Sequence, residues 1–251
     1  MRLYPLEPTS RVTINIASAS RNFQLDVLIT KLSKDQRKSL RSIILLADGT
    51  PDDIVTAFLA KHLDGENIVA IAKTHRTRLG ALGLIPTHLK QIKGTEIEKL
   101  FFLMDQEDEE LSGIYESAST MLERHGMTVK FQERMSKRLR KYCCSYGGRE
   151  FTLILIVNGL DEINSSSHTI EDHLLYAGVK LLGLRELEKM MEKGIESSKD
   201  IWKTQRDKWE SVYRRIRNAS IDKIGKIFPQ HVEGLKLITQ NLSSSREHQA
   251  R

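Results

Sequence analysis

The stretch Leu100-Phe101-Phe102-Leu103-Met104, followed by Asp105-Gln106-Glu107-Asp108-Glu109-Glu110, constrains this chain more than any other. Five consecutive apolar residues, two of them aromatic, read as a short buried strand. The run then stops abruptly in acids. Side chains alternate along an extended chain, so Asp105 and Glu107 leave the strand on one side. In an open parallel sheet, ligands gather beyond the carboxyl ends of the strands. Two hard oxygen donors there suit Mg²⁺ or Mn²⁺, held by carboxylates together with water and substrate phosphate. Glu107 to Glu110 also fit the opening of a helix, where acids meet the dipole favourably.

Other stretches follow the same plan. Ser42-Ile43-Ile44-Leu45-Leu46 reads as a central strand and ends in Ala47-Asp48-Gly49-Thr50-Pro51-Asp52-Asp53. Gly49 takes a turn conformation closed to most residues, Thr50 fits an N-cap, and Pro51 fits the first helical position. Ile54, Phe58, Leu59 and His62 then lie at helical spacing up to Gly65. Asn67–Ala72 continues as a strand, Thr74–Leu84 as a loop with a short helix, and residues 108–125 as a long helix closed by Gly126. Phe151–Val157 is the clearest buried strand; it runs into Asn158-Gly159, and His168–Leu175 opens another helix.

Arg11–Ser18 alternates, with Val12, Ile14 and Ile16 on one side, and predicts a half-buried strand. Phe23–Leu32 fits a second strand or the start of a helix, and Val129–Tyr142 a strand or helix loaded with bases. From Leu184 onward the pattern is helical. Trp202, Trp209, Tyr213 and Ile216 share one face, which reads as core rather than a base-stacking platform. Pro229 interrupts the pattern before a last helix over roughly Val232–Leu242. The expected fold is α/β, a mainly parallel open sheet with helices on both faces, followed by a helical C-terminal region. Residues 1–40 read as an extension whose strands join the core, 41–182 as the α/β domain, and 183–251 as helices against it.

Composition excludes some classes. With 39% apolar and 29% charged residues among 251, the chain can build a real core. No apolar run approaches the ~20 residues of a membrane span. Met1-Arg2-Leu3-Tyr4-Pro5 lacks a long apolar signal core, and the two cysteines, Cys143 and Cys144, are adjacent, so a reducing, cytoplasmic setting with no membrane partner is expected. The net charge of +6 is unevenly spread, with bases at Lys130–Arg149 and Lys199–Lys226 and acids at 105–110. Acids for a metal beside bases for a phosphate backbone suit chemistry on DNA or RNA.

These motifs resemble the Toprim domain of topoisomerases, primases, recombination mediators and nucleases of the overcoming-lysogenization-defect type. That domain carries a Glu-Gly turn after its first strand and an Asp-x-Asp pair after a later one. Ile43-Ile44-Leu45-Leu46-Ala47-Asp48-Gly49-Thr50-Pro51-Asp52 aligns with the first motif and Leu103-Met104-Asp105-Gln106-Glu107 with the second. Val157-Asn158-Gly159 and Ser167–Leu175 are similar to small stand-alone prokaryotic Toprim proteins. The resemblance spans roughly 41–182. Asp48 stands where the family has Glu, and Glu107 where it has Asp; each swap moves a carboxylate by about one methylene in a site that demands near-octahedral geometry. Either the two changes offset one another or the site has kept binding and lost catalysis.

The resemblance implies a Mg²⁺-dependent nuclease or related phosphotransfer protein. Asp105 and Glu107 would then hold the principal metal, and Asp48 a second metal or the attacking water's proton. Asp52 would complete the shell, or simply sit at a helix dipole. Glu171 and Asp172 fit outer acids, though Thr169-x-x-Asp172 equally resembles a helix cap. Lys130, Arg134, Lys137, Arg138 and Lys141 are the candidate phosphate contacts; His75, His168 and His173 read as packing or surface residues. A second expectation is a degenerate module that binds nucleic acid, a nucleotide or a protein without chemistry. A third, a response-regulator-like protein, lacks the lysine it needs after Val157. The oligomeric state is open, a homodimer included.

Overall fold

A computed structural model describes residues 1–47, 50–63, 65–74, 78–91 and 97–238. Among them, seven strands form one sheet: β1 (Arg2–Pro5), β2 (Ser42–Leu46), β3 (Ile68–Lys73), β4 (Lys99–Asp105), β5 (Thr128–Ser136), β6 (Leu139–Tyr146) and β7 (Arg149–Asn158). Their order is β1-β3-β2-β4-β7-β6-β5. The first five in that order are parallel, and β6 and β5 extend the sheet antiparallel beside β7. The α/β expectation therefore holds, with a mostly parallel open sheet.

The central strands are apolar throughout because both faces are covered. Ile44, Leu46, Phe101, Leu103, Ile154 and Ile156 face one core, whereas Ile43, Leu45, Leu100, Phe102, Leu153 and Leu155 face the other. The first core is built with α1 (Arg11–Phe23), α3 (Asp52–His62), α6 (Ile170–Leu182), α7 (Arg185–Lys193), α8 (Ser198–Thr204), α9 (Arg206–Asn218), α10 (Ile221–Ile227) and α11 (Pro229–Lys236). The second is built with the 3-10 turn over Arg78–Leu84, α4 (Ile85–Gln91) and α5 (Leu111–Arg124).

Several expectations need correction. Arg11–Ser18 is helical, not extended. Ser10 caps α1 by accepting from the Thr13 backbone N–H; Val12, Ile16 and Ala19 are buried at helical spacing, and Ile14, on the alternating face, is 60% exposed. Within residues 1–40 only β1 joins the sheet as a strand; Lys34–Ser39 forms α2 behind a Ser33–Gln36 capping box. The basic stretch Val129–Tyr142 is extended and not helical, as the strand alternative has it, but it spans two strands, the β5–β6 hairpin. Pro229 does separate two helices, α10 and α11, but the last helix opens at Pro229 itself and not at Val232, because its missing N–H costs nothing at the first helical position. Leu242 lies outside the described residues.

The aromatic stripe is core, as its spacing suggests. Trp202 stacks on Trp209 at 5.5 Å, and Tyr213 stacks on Phe58 of α3 at 5.3 Å. No helix among the described residues is long and apolar enough to cross a membrane.

Candidate active site at the carboxyl end of the sheet

Strand polarity decides where the charged residues meet. Parallel β2, β3 and β4 all end on one edge, and a cleft of about 390 Å³ lies there, lined by Ala47, Thr50, Pro51, Asp52, Lys73, Arg78, Asp105, Glu107, Glu171 and Lys199. Asp105 is the last residue of β4, Lys73 the last of β3, and Asp52 the first of α3. Glu171 lies in the first turn of α6 and Lys199 in that of α8.

Asp52 and Asp105 are buried, at 3% and 4% exposure, and share one donor. Asn158, which closes β7 directly opposite Asp105, donates from Nδ2 to Asp52 Oδ1 at 2.7 Å and to Asp105 Oδ1 at 2.8 Å. The Ile170 N–H, first in α6, also donates to Asp105 Oδ1 at 3.0 Å. A neutral amide and a helix N-terminus thus hold two buried acids at the cleft.

Glu107 reaches the cleft by a different route from the alternation expected of a strand. Its φ of 55° ends the extended chain, and its backbone exchanges hydrogen bonds with His168 at 2.7 and 2.8 Å. That left-handed conformation is unusual for a residue with a Cβ. The Glu107 carboxylate lies 3.6 Å from the Arg78 guanidinium, which also pairs with Glu109 at 3.0 Å. Glu109 is therefore an ion-pair partner and Glu110 the N-cap position of α5, so the acids do not enter the first turn of that helix.

Glu171 is 4% exposed, and burial pushes its carboxyl pKa up against weaker lowering by Thr169, its own backbone and Lys199. Thr169 makes no side-chain cap, so the capping reading of Thr169-x-x-Asp172 fails. Asp172 instead accepts from His168 Nδ1 at 2.6 Å and from the Leu160 N–H at 3.1 Å. His173 is wholly buried, bonds the Ile227 carbonyl through Nδ1 at 2.6 Å, and is held neutral as burial lowers its pKa to about 4. Asp53 points away from the cleft toward Asn15, whose amide donates to it at 2.7 Å and to Thr50 at 2.9 Å; Thr50 is thereby engaged away from the expected N-cap, a position Pro51 fills.

Asp48 and His75 lie outside the described residues. Of the five bases expected at a nucleic acid, none lines the cleft. Lys130 pairs with Glu150, Lys137 and Arg138 both pair with Asp161 at 2.8 Å, and Lys141 pairs with Glu133 at 3.3 Å. Arg138 is 6% exposed and Arg134 stands exposed on β5. The cations that do reach the cleft, Lys73, Arg78 and Lys199, carry no local motif. Asn158 carries one faint signal, a polar residue closing the five-residue apolar run Leu153–Val157.

The donor set is of hard carboxylate oxygens with neither sulfur nor imidazole, the chemistry that Mg²⁺ and Mn²⁺ take. Among the described residues, no three His, Cys, Asp or Glu side chains are arranged to hold one ion together. No protein-family model, no curated protein and no solved structure matches the chain.

Proposed function

We propose that the carboxyl-end cleft is a site for Mg²⁺-dependent phosphodiester chemistry on nucleic acid, of the kind Toprim domains perform. One observation carries the reading: acids from separate elements, Asp52 of α3, Asp105 and Glu107 after β4, and Glu171 of α6, line a single cleft with Lys73, Arg78 and Lys199. With no three described side chains set around one ion, Asp105 and Glu107 would hold the cation together with water and substrate phosphate, and when bound it supplies charge neutralisation and an acidified water. Lys73, Arg78 and Lys199 would take the phosphate oxygens and orient the ester. Glu171 holds its proton to a higher pH than an ordinary glutamate, which suits a general acid toward the departing oxygen.

The test is cleavage of single-stranded DNA, duplex DNA and RNA with Mg²⁺ or Mn²⁺. Turnover that EDTA stops and Asp105→Ala lowers by about a thousandfold, roughly 4 kcal/mol, is the expected result. A second reading, a module that binds without chemistry, is favoured by the Asn158 amide, which already occupies an oxygen of both Asp52 and Asp105. Binding retained in EDTA, with no turnover under any metal, would establish it instead.

A further inference from the structure

Asn158 is wholly buried, and its side chain is the one bridge from β7 to two cleft acids among the described residues. Its Nδ2 carries two protons, and Asp52 and Asp105 accept one each. Exchanging the ends of the amide would turn its carbonyl oxygen on two carboxylates, so the orientation is set. The remaining atom, Oδ1, can only accept. It lies 2.7 Å from His231 Nε2, so that nitrogen carries the proton and His231 is the Nε2–H tautomer. His231 is fully buried, and burial, with His173 adding to it, keeps its ring neutral. Its Nδ1 makes no hydrogen bond among the described residues.

The rest of α11 braces the same point. Gln230 Nε2 lies 3.1 Å from the Val157 carbonyl and 3.0 Å from that of Gly159, the two residues flanking Asn158. Gly234, about one turn on, allows the close approach: a Cβ there would come within 2.9 Å of Ile156 Cδ1 on β7. One helix therefore grips both the main chain and the side chain of the residue that joins the cleft acids.

We propose that His231 is a positioning residue of the cleft: its Nε2–H locks the Asn158 amide in the orientation that offers both N–H groups to Asp52 and Asp105. The C-terminal helix α11 is then part of the site and not only core packing. The metal-binding arm of this inference rests on the function proposed above; the tautomer and the amide do not.

The experiment uses the full ¹⁵N-labelled chain. Long-range ¹H–¹⁵N correlation of the wild type is expected to give the Nε2–H tautomer for His231, and two dispersed, slowly exchanging side-chain protons for Asn158. In His231→Leu those protons exchange at least about tenfold faster and Mn²⁺ affinity falls about tenfold, the range found for partners that orient metal ligands. His231→Gln, which keeps a donor at similar reach, restores most of both. A wild-type Nδ1–H tautomer, or an unchanged Asn158 amide in His231→Leu, overturns the proposal. If His231→Leu fails to fold, the wild-type tautomer and the His231→Gln amide decide. If the wild type binds no Mn²⁺ while tautomer and amide come out as stated, the positioning role stands and the metal reading falls.

Discussion

At the amino end of the parallel strands, a cavity of about 730 Å³ is lined by Arg2, Arg41, Lys99, Glu66 and Glu98 among others; at the carboxyl end, the smaller cleft gathers Asp52, Asp105, Glu107 and Glu171 against Lys73, Arg78 and Lys199. The amino-end cations discharge against near neighbours. Arg2 pairs with Asp26 at 3.1 Å, Arg41 with Glu98 at 3.5 Å, and Lys99 donates to the Leu237 carbonyl at 2.6 Å. At the carboxyl end, two buried acids share one neutral amide, and a third carboxyl has its pKa raised by burial. Concentrating acids where water is scarce opposes folding, and such opposition clusters where a ligand is to be bound. The same fold thus pairs its cations one by one at one end and gathers acids and cations into a single cleft at the other.

The sharpest way to break this contrast is Asn158→Asp, which sets a third carboxylate between two. A loss of about 4 kcal/mol in denaturant unfolding at pH 7 is expected, against about 1 kcal/mol for Lys99→Met at the opposite end. Equal losses would erase the distinction. Acid comes next. His173 is neutral in the fold, with a pKa lowered to about 4 from 6.5, so its contribution is complete above pH 6.5 and is lost as pH falls toward 4. His231 and His62, also lowered by burial, act in the same direction. The combined fall is on the order of 3 kcal/mol, read from unfolding curves between pH 7 and 4.5. A flat profile would show that these imidazoles are not buried neutral.

Glu171→Gln is expected to do the reverse at the cleft. Because the folded pKa is raised, the wild-type carboxyl favours folding below its ordinary range near 4.5 and loses that contribution as pH rises. The variant therefore gains about 1 kcal/mol at pH 8, the gain vanishing by pH 4, while turnover drops. The smallest effects belong to the hairpin. Lys130→Ala and Lys141→Ala, whose ammonium groups pair with acids on the surface, are expected to change stability by under about 0.5 kcal/mol and nucleic-acid affinity by under about twofold. Lys199→Ala, inside the cleft, should weaken binding by about tenfold in fluorescence anisotropy.

How much of this was legible follows from where the information lies. β2, β4 and β7 are readable because strands covered on both faces must be apolar at every position. Their acid endings are equally readable, which is why Asp52, Asp105 and Glu107 could be named before any geometry and all line the cleft. Helix α1 was misleading: Val12, Ile14 and Ile16 alternate, and only the Ser10 cap with the burial of Ala19 discloses the helical period. The β5–β6 hairpin left no apolar signature, since β5 is a mostly exposed edge strand. Its basic residues drew attention because a one-dimensional reading shows the charge and not the acids of β7 and the Asp161 loop that meet it. Glu171, named as an outer acid, also lines the cleft, whereas Lys73, Arg78 and Lys199 come from three separate segments, and nothing local marks their convergence. His231 is further still, on a helix that the sequence predicts to begin only at Val232.

Manganese tests the central claim most directly, because it reports where a hard cation settles without requiring the right substrate. Paramagnetic Mn²⁺ titrated into the labelled chain should first broaden the signals of Asp52, Asp105, Glu107 and Asn158, leave Arg41 and Lys99 at the other end sharp, and bind at least about tenfold more weakly in Asp105→Ala. Broadening centred away from that cleft, or undiminished when Asp105 is replaced, would contradict the account.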